Sequence, residues 1–83
     1  MLFNFPPTRF VTENSQIEQM DHIVSESMEV LDAMAKDESR RRLLEELMDL
    51  HHSLETFWRM QDAQEVAEVM TDVMKKNAMR GYY

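Results

Sequence analysis

The sequence contains no cysteine and very few of the residues that interrupt helices. Its 83 residues include one glycine, Gly81, and two prolines, Pro6 and Pro7, and all three lie near the ends of the chain. The lack of cysteine excludes disulfides and thiolate metal sites, and it suits the reducing cytoplasm, where we expect this protein to act. Because nothing between Pro7 and Gly81 forces a break, we expect most of that stretch to be helical.

Long apolar runs and an excess of basic residues are also missing. No stretch approaches the roughly 20 apolar residues of a membrane span, and the opening residues lack the basic leader and apolar run of a signal peptide. Asp and Glu number 16 against 9 Lys and Arg, for a formal net charge of -7. A net acidic surface disfavours DNA and RNA backbones, although a bound cation would reverse the sign locally. We therefore expect neither a membrane nor a nucleic acid as a partner.

Apolar residues that recur three and four positions apart divide the chain into helical segments. The pattern predicts an extended N-terminal segment over residues 1–13, followed by one helical domain over residues 14–83. Within that domain we expect helix one over Asn14–Ala35, helix two over Arg40–Met60, and a third helix that begins at Asp62 and ends before Gly81. Short turns between amphipathic helices predict an all-α fold, an antiparallel bundle of three main helices.

Helix one has more apolar residues than one face needs. Its main stripe consists of Ile17, Met20, Val24, Met28 and Leu31. A second set lies off this stripe and comprises Ile23, Val30, Ala33 and Met34. Two apolar faces on one helix predict burial on both sides, and in so short a chain the second side is expected to pack on another subunit. Oligomerisation would then complete the bundle.

Two pairs of acids provide the first indication of chemistry. Glu26 and Glu29 lie three residues apart in helix one, and Glu46 and Asp49 have the same spacing in helix two. Residues at this spacing share a helix face, so two antiparallel helices can direct four carboxylates at one point. Single pairs of this kind are common on solvated helices, and it is their combination that predicts a site. Hard oxygen ligands select Mg²⁺, Ca²⁺ or Mn²⁺ over Zn²⁺.

Polar residues near the end of the third helix add a candidate phosphate site. Lys76 and Arg80 lie at the edge of the apolar stripe, and Asn77 occupies a position where an apolar residue was expected. Cations at a helix C-terminus more often interact with the helix dipole. Following two acid pairs, however, this run supplies phosphate ligands beside a cation cage.

The acids also match a family signature. The run Ser25-Glu26-Ser27-Met28-Glu29, then 16 intervening residues, then Glu46-Leu47-Met48-Asp49 resembles the EExxE…ExxD motif of MazG-like nucleotide pyrophosphohydrolases. The closing residues 76–83, KNAMRGYY, resemble the basic run at the end of that family. The resemblance covers residues 16–83. One position departs from it, because Ser25 stands where the family has its first Glu, and serine cannot replace a carboxylate as ligand or base.

The resemblance implies a specific activity and assembly. A (d)NTP would be cleaved to (d)NMP and pyrophosphate, with Mg²⁺, or alternatively Mn²⁺, held by Glu26, Glu29, Glu46 and Asp49. Glu26 and Glu29 would be the catalytic carboxylates, and Lys76, Asn77 and Arg80 would bind the phosphates. The assembly would be a homodimer or a tetramer formed by two dimers.

Two other functions fit parts of the pattern. Phosphoribosyl-ATP pyrophosphatase shares the superfamily and the chemistry, although the extended pattern expected of it is not seen. The third reading is a non-catalytic helical interaction protein whose acids are merely solvated. Dependence on a metal separates this third reading from the first.

Overall fold

The computed structural model describes residues 3–83 and is helical throughout its regular structure. Its elements are α1 (Phe10–Glu13), α2 (Gln16–Ala35), α3 (Arg40–Arg59) and α4 (Ala63–Met79). There is no strand in the described part of the chain. The prediction of an all-α fold with three main helices is therefore confirmed, and α2, α3 and α4 are those helices. No helix within residues 3–83 is long and apolar enough to cross a bilayer.

Side-chain caps set the beginning of each main helix. Ser15 accepts a hydrogen bond from the backbone N–H of Glu18, whose side chain accepts one from the N–H of Ser15 in return. Ser39 caps α3 and Asp62 caps α4 in the same way, each through the N–H three residues later. Such caps stabilise helix starts because the first N–H groups have no partner within the helix. This is why the sequence located the starts within two residues.

The turn after α2 folds α3 back against it. Asp37 has a φ of 53°, and the N–H groups of Asp37 and Glu38 donate to the carbonyls of Met34 and Ala33. This is the Schellman arrangement, in which one left-handed residue ends a helix, and Asp tolerates that conformation better than most residues. The resulting antiparallel pair, α2 and α3, is the most extensive packing in the chain.

The face of α2 that packs on α3 includes Val30 and Ala33 of the second set, and not the main apolar stripe. Both are buried, as is Gln19 three turns earlier in the helix, whereas Met34 of the same set is exposed. The main stripe is exposed, with 40% or more of each residue accessible: Ile17, Met20, Val24, Met28 and Leu31. The expectation that the main stripe packs within the chain was therefore wrong. The α2–α3 interface instead contains polar groups, because α3 contributes Glu46, Ser53 and Thr56 to it.

The packing of α4 on α3 is far less extensive than the packing of α2 on α3. Near the α3–α4 turn Val66 is buried, but the next turns of α4 leave Val69, Met70 and Val73 at least 40% exposed. These side chains line an apolar groove of about 450 Å³ that also includes Phe57 and Trp58. Within one chain the three helices thus form a packed pair and a third, loosely attached helix.

The N-terminal segment, here residues 3–9, crosses the α3 surface without regular structure. Residues 1 and 2 of the predicted extended segment lie outside the described residues. The prediction was wrong for residues 10–13, which form the single turn α1. Both prolines precede this turn, so nothing prevents it, and an ion pair of 3.5 Å between Arg9 and Glu13 spans it. The N–H of Asn14 donates to the carbonyl of Phe10 at 3.0 Å.

Substitution of Ala33 tests which face of α2 is packed. Ala33 is 3% exposed against α3, whereas Ala35 in the same turn is exposed. Ala33→Leu should therefore lower the free energy of unfolding by about 1–3 kcal/mol, because it overpacks a closed interface. Ala35→Leu is the matched control and should change it little. Urea denaturation followed by circular dichroism measures both, and equal effects would contradict the assigned face.

Candidate metal centre

Three carboxylates from α2 and α3 converge at the middle of the helix pair. One oxygen each of Glu26, Glu46 and Asp49 lie within 4.8 Å of one another. Glu46 and Asp49 share a face of α3 because they are three residues apart, and the antiparallel turn brings Glu26 of α2 opposite them. Oxygen donors at such separations suit a hard divalent cation after a small closure of the site.

Each of the two less exposed carboxylates has one bound and one unbound oxygen. Arg42 Nη2 lies 2.5 Å from Glu46 Oε1, and His22 Nε2 lies 3.2 Å from Glu26 Oε1. The other oxygens, Oε2 of Glu26 and Oε2 of Glu46, are buried and have no hydrogen-bond partner. Glu46 as a whole is 4% exposed. Buried carboxylate oxygens without partners are unfavourable, so the site is chemically suited to a cation that would contact both.

The electrostatics of the site favour protons when no cation is present. Burial raises the pKa of Glu26, and the nearby carboxyl of Glu29 raises it further, against a smaller opposing effect of His22. Burial also raises the pKa of Glu46; the Arg42 guanidinium opposes this, and Glu29 and Asp49 reinforce it. Closely spaced carboxyls resist simultaneous ionisation, and a cation relieves that repulsion.

Glu29, the fourth predicted ligand, lies beside the triad and outside it. Its carboxyl is close enough to those of Glu26 and Glu46 to hydrogen bond with either when a proton is shared. Its side chain is on the exposed side of α2, in a shallow hollow that also includes Ser25. Glu29 is thus placed to act on a group bound at the triad, and Ser25 is not one of the converging groups.

The predicted phosphate ligands lie on the last turns of α4. Lys76 and Arg80 are exposed, and Asn77 is partly buried. Among residues 3–83, no ion pair or hydrogen bond connects any of the three to the acid triad. Arg80 instead lies over the ring of Tyr82, with 4.8 Å from Cζ to the ring centroid. Since α4 is only loosely attached, one chain does not bring its basic run to its own triad.

A cavity of about 240 Å³ opens directly beside the triad. Its lining includes Glu26 and Asp49 of the triad, Thr8 of the N-terminal segment and Phe10 of α1. The rest of its lining comes from α2 and α3, namely Gln19, His22, His52, Ser53 and Thr56. This volume is smaller than the roughly 300–1,000 Å³ of pockets for drug-sized ligands, so it suits one ring system and part of a sugar.

Sequence reasoning missed several residues that build this site. Arg42 precedes Glu46 by four positions, and that spacing alone was a usable signal for an ion pair. Gln19 had no such signal; it is 1% exposed, donates to the carbonyl of Ser53 at 3.0 Å and accepts from Asn14 at 2.9 Å. His52 had no such signal either; it is stacked on Phe5 with ring centroids 4.3 Å apart.

Comparisons with protein-family models, with curated proteins and with solved structures find no match to this chain. A functional assignment for the chain therefore depends mainly on the geometry of the site.

The effect of Mg²⁺ on thermal stability should depend on pH. The pKa values of Glu26 and Glu46 are raised above that of an ordinary glutamate, so at pH values between the two the folded protein holds more protons than the unfolded chain. Without metal, the contribution of these two glutamates to the free energy of unfolding therefore falls as pH rises through that window. Mg²⁺ must displace these protons, so it should raise the melting temperature more at about pH 7.5 than at about pH 5.

Melting curves with EDTA and with millimolar Mg²⁺ at both pH values measure this effect. With Mg²⁺ at ten times its dissociation constant, we expect the melting temperature to rise by about 5–10 °C at the higher pH. Glu46→Gln is the control and should abolish most of the increase. Identical curves with EDTA and Mg²⁺ would rule out a cation site that exists in the folded chain.

Proposed function

We propose that this chain is an Mg²⁺-dependent nucleoside triphosphate pyrophosphohydrolase that cleaves a (d)NTP to a (d)NMP and pyrophosphate. The observation that carries the proposal is the pair of buried, unpartnered oxygens of Glu26 and Glu46 beside Asp49. The adjoining cavity provides space for the organic part of a phosphate compound. The resemblance to MazG-like enzymes around Glu26, Glu29, Glu46 and Asp49 supports this class of substrate.

The triad residues would hold Mg²⁺, and Mn²⁺ has the same preference for oxygen ligands. Bound there, the cation would offset phosphate charge and lower the pKa of a coordinated water. Arg42 and His22 each contact one oxygen, Oε1, of Glu46 and of Glu26 respectively, which limits how these two carboxylates can rotate. Such supporting contacts fix ligand geometry before a cation arrives.

Glu29 is the carboxylate best placed to accept a proton from the attacking water, because it adjoins the triad without belonging to it. Water would attack the α-phosphorus, the bond from that phosphorus to the bridging oxygen would break, and pyrophosphate would leave. The proton lost by the water would reside on Glu29. Glu26, besides holding the cation, would fix the position of that water.

We further propose that the chain acts as a homodimer or as a tetramer of two dimers. The accessible surface of the chain is 6531 Å², against about 5,200 Å² for a compact monomer of this mass. The excess of roughly 1,300 Å² is of the order that one subunit buries in an obligate interface. Among the apolar residues of the described part, 3–83, only Val30, Ala33 and Val66 are buried. A second copy would also be able to supply Lys76, Asn77 and Arg80 to the triad of the first.

Release of pyrophosphate tests the proposed activity. All common NTPs and dNTPs should be screened with Mg²⁺ and with EDTA, and we expect at least one to be hydrolysed only with Mg²⁺. Phosphoribosyl-ATP belongs in the same screen, since it shares the chemistry. If none is hydrolysed by a correctly folded, Mg²⁺-binding protein, the non-catalytic reading is favoured instead.

Substitutions of single acidic residues should distinguish those that act in the site from a neighbouring glutamate that does not. Glu26→Gln, Glu29→Gln, Glu46→Gln and Asp49→Asn should each lower kcat by roughly 100-fold or more at unchanged helix content. Glu45→Gln is the matched control, because Glu45 adjoins Glu46 but is exposed, and its ion pairs with Arg41 at 3.4 Å and Arg42 at 3.6 Å are exposed too. It should leave kcat nearly unchanged. An essential Glu45 with a dispensable Glu46 would refute the assigned register of α3.

Substitutions at the basic run should have a different signature. Lys76→Ala and Arg80→Ala should raise KM by about tenfold, since each removes a charged contact to phosphate. They should leave the Mg²⁺-induced rise in melting temperature unchanged. Loss of that rise in either variant would show that these residues act on the fold and not on phosphate.

Charge placed in the α4 groove should disrupt the assembly. Val69→Glu and Val73→Glu put a carboxylate on the apolar surface, whereas Thr71→Glu, outside the groove, is the control. Light scattering should give a wild-type mass at least twice that of the chain, and a smaller mass only for the two groove variants. A monomeric wild type at micromolar concentration would contradict the proposed assembly.

A further inference from the structure

The N-terminal segment is attached to α3 by a set of contacts that no acid motif explains. Glu55 is 5% exposed and accepts hydrogen bonds from two consecutive backbone N–H groups, those of Asn4 at 2.9 Å and Phe5 at 3.0 Å. His51 Nε2 lies 2.7 Å from Oε2 of Glu55, the oxygen that also accepts from the N–H of Asn4. Burial raises the pKa of Glu55, but these donors outweigh it and lower the pKa below its usual value, so the group is a carboxylate at neutral pH.

Arg59, one helical turn further along α3, binds the other polar backbone group of Phe5, its carbonyl. Its Nη2 donates to the carbonyl of Phe5 at 2.5 Å, and its guanidinium lies over the Phe3 ring at 4.1 Å from the centroid. The backbone N–H of Phe5 is thus bound by Glu55 and its carbonyl by Arg59. Side chains four residues apart on a helix stand side by side, which allows this pair to hold one extended residue at both polar groups.

The attached segment leads directly into the lining of the cavity beside the triad. Thr8 Oγ1 lies 3.2 Å from Thr56 Oγ1, and both residues line the cavity together with Phe10. Residues 6 and 7 are both proline, so little freedom separates Phe5 from Thr8. The position of Phe5 therefore determines where Thr8 and Phe10 lie.

We propose that Glu55 and Arg59 are positioning residues that hold the N-terminal segment as a wall of the cavity that binds the nucleoside of the substrate. This assignment of the cavity rests on the proposed function. The triad would hold the cation and, through it, the phosphates, whereas the wall would contact only the organic group. Detachment of the segment should therefore weaken substrate binding and leave the cation site intact.

Two variants release the segment from opposite sides of the contact. Glu55→Gln removes the negative charge and exchanges one accepting oxygen for an NH₂ group, so the charge-assisted bonds to the two backbone N–H groups are lost. Asn4→Pro removes one donor from the segment and leaves α3 unchanged. Glu45→Gln is the control on α3, because that glutamate has no contact with the segment.

Trypsin cleavage after Arg9 reports the attachment without any assay of activity. The Arg9 side chain is 75% exposed, so cleavage there is limited by the ordering of the backbone. Mass spectrometry should show release of the fragment ending at Arg9 accelerated by about tenfold in both variants and unchanged in Glu45→Gln. Unchanged cleavage in both variants would overturn the attachment.

Kinetics with the best triphosphate of the screen test the wall itself. We expect KM to rise by about tenfold in both variants with kcat changed less, and the Mg²⁺-induced rise in melting temperature to be preserved. Faster cleavage at Arg9 with an unchanged KM would overturn the wall. If the wild type hydrolyses no triphosphate, the proposed function fails, and dATP in the presence of Mg²⁺ replaces the kinetic test. Binding of dATP should then slow trypsin cleavage after Arg9 in the wild type. An unchanged cleavage rate would contradict the proposal that the N-terminal segment is a wall of the cavity.

Discussion

The interface between α2 and α3 is built around two glutamates, each of which has a partner at only one of its two carboxylate oxygens. A helix pair in a small protein normally packs apolar side chains, yet here Glu26 and Glu46 occupy its centre, each with one buried oxygen that lacks a partner. Arg42 and His22 each contact the Oε1 atom of one glutamate, and one oxygen of each glutamate lies within 4.8 Å of an oxygen of Asp49. Such an arrangement is unfavourable for folding alone, and a cation between the helices is what would make it favourable.

The polar interface also explains why the chain has so little core. Space between α2 and α3 that apolar residues would fill holds Gln19, Glu46 and Ser53, while the main apolar stripe of α2 is exposed. Helix α4 adds another open apolar surface around Val69 and Val73. A chain that places carboxylates inside its own helix pair leaves apolar faces exposed, and the proposed second copy would cover them.

The sequence predicted the helices well because their signals are local. Ser15, Ser39 and Asp62 are caps, and the turn around Asp37 needs only backbone groups and one tolerant residue. It predicted the convergence of Glu26 with Glu46 and Asp49 for the same reason, since spacing along two helices determines which side chains can meet. Periodicity could not decide which face of α2 packs on α3, because large apolar residues produce the same pattern whether a subunit or the chain itself covers them.

The contacts of the N-terminal segment were beyond sequence reasoning for a different reason. Glu55 and Arg59 look like an ordinary pair on a helix surface, and their partners are backbone groups some fifty positions earlier. Backbone donors leave no residue signature. Long-range contacts of this kind appear only once the chain is folded, whereas the acid triad has a signature in residue type and spacing.

The most direct test of the central claim is to locate a bound divalent cation by its magnetic effect. Mn²⁺ added in small amounts to labelled protein broadens the NMR signals of nuclei close to it and leaves distant ones sharp. We predict selective broadening around Glu26, Glu46 and Asp49, reversed by excess Mg²⁺, with the signals of the exposed acids Glu13 and Glu68 largely unaffected. Uniform weak broadening at all exposed acids, or none at the triad, would contradict the claim that the α2–α3 interface is a metal site.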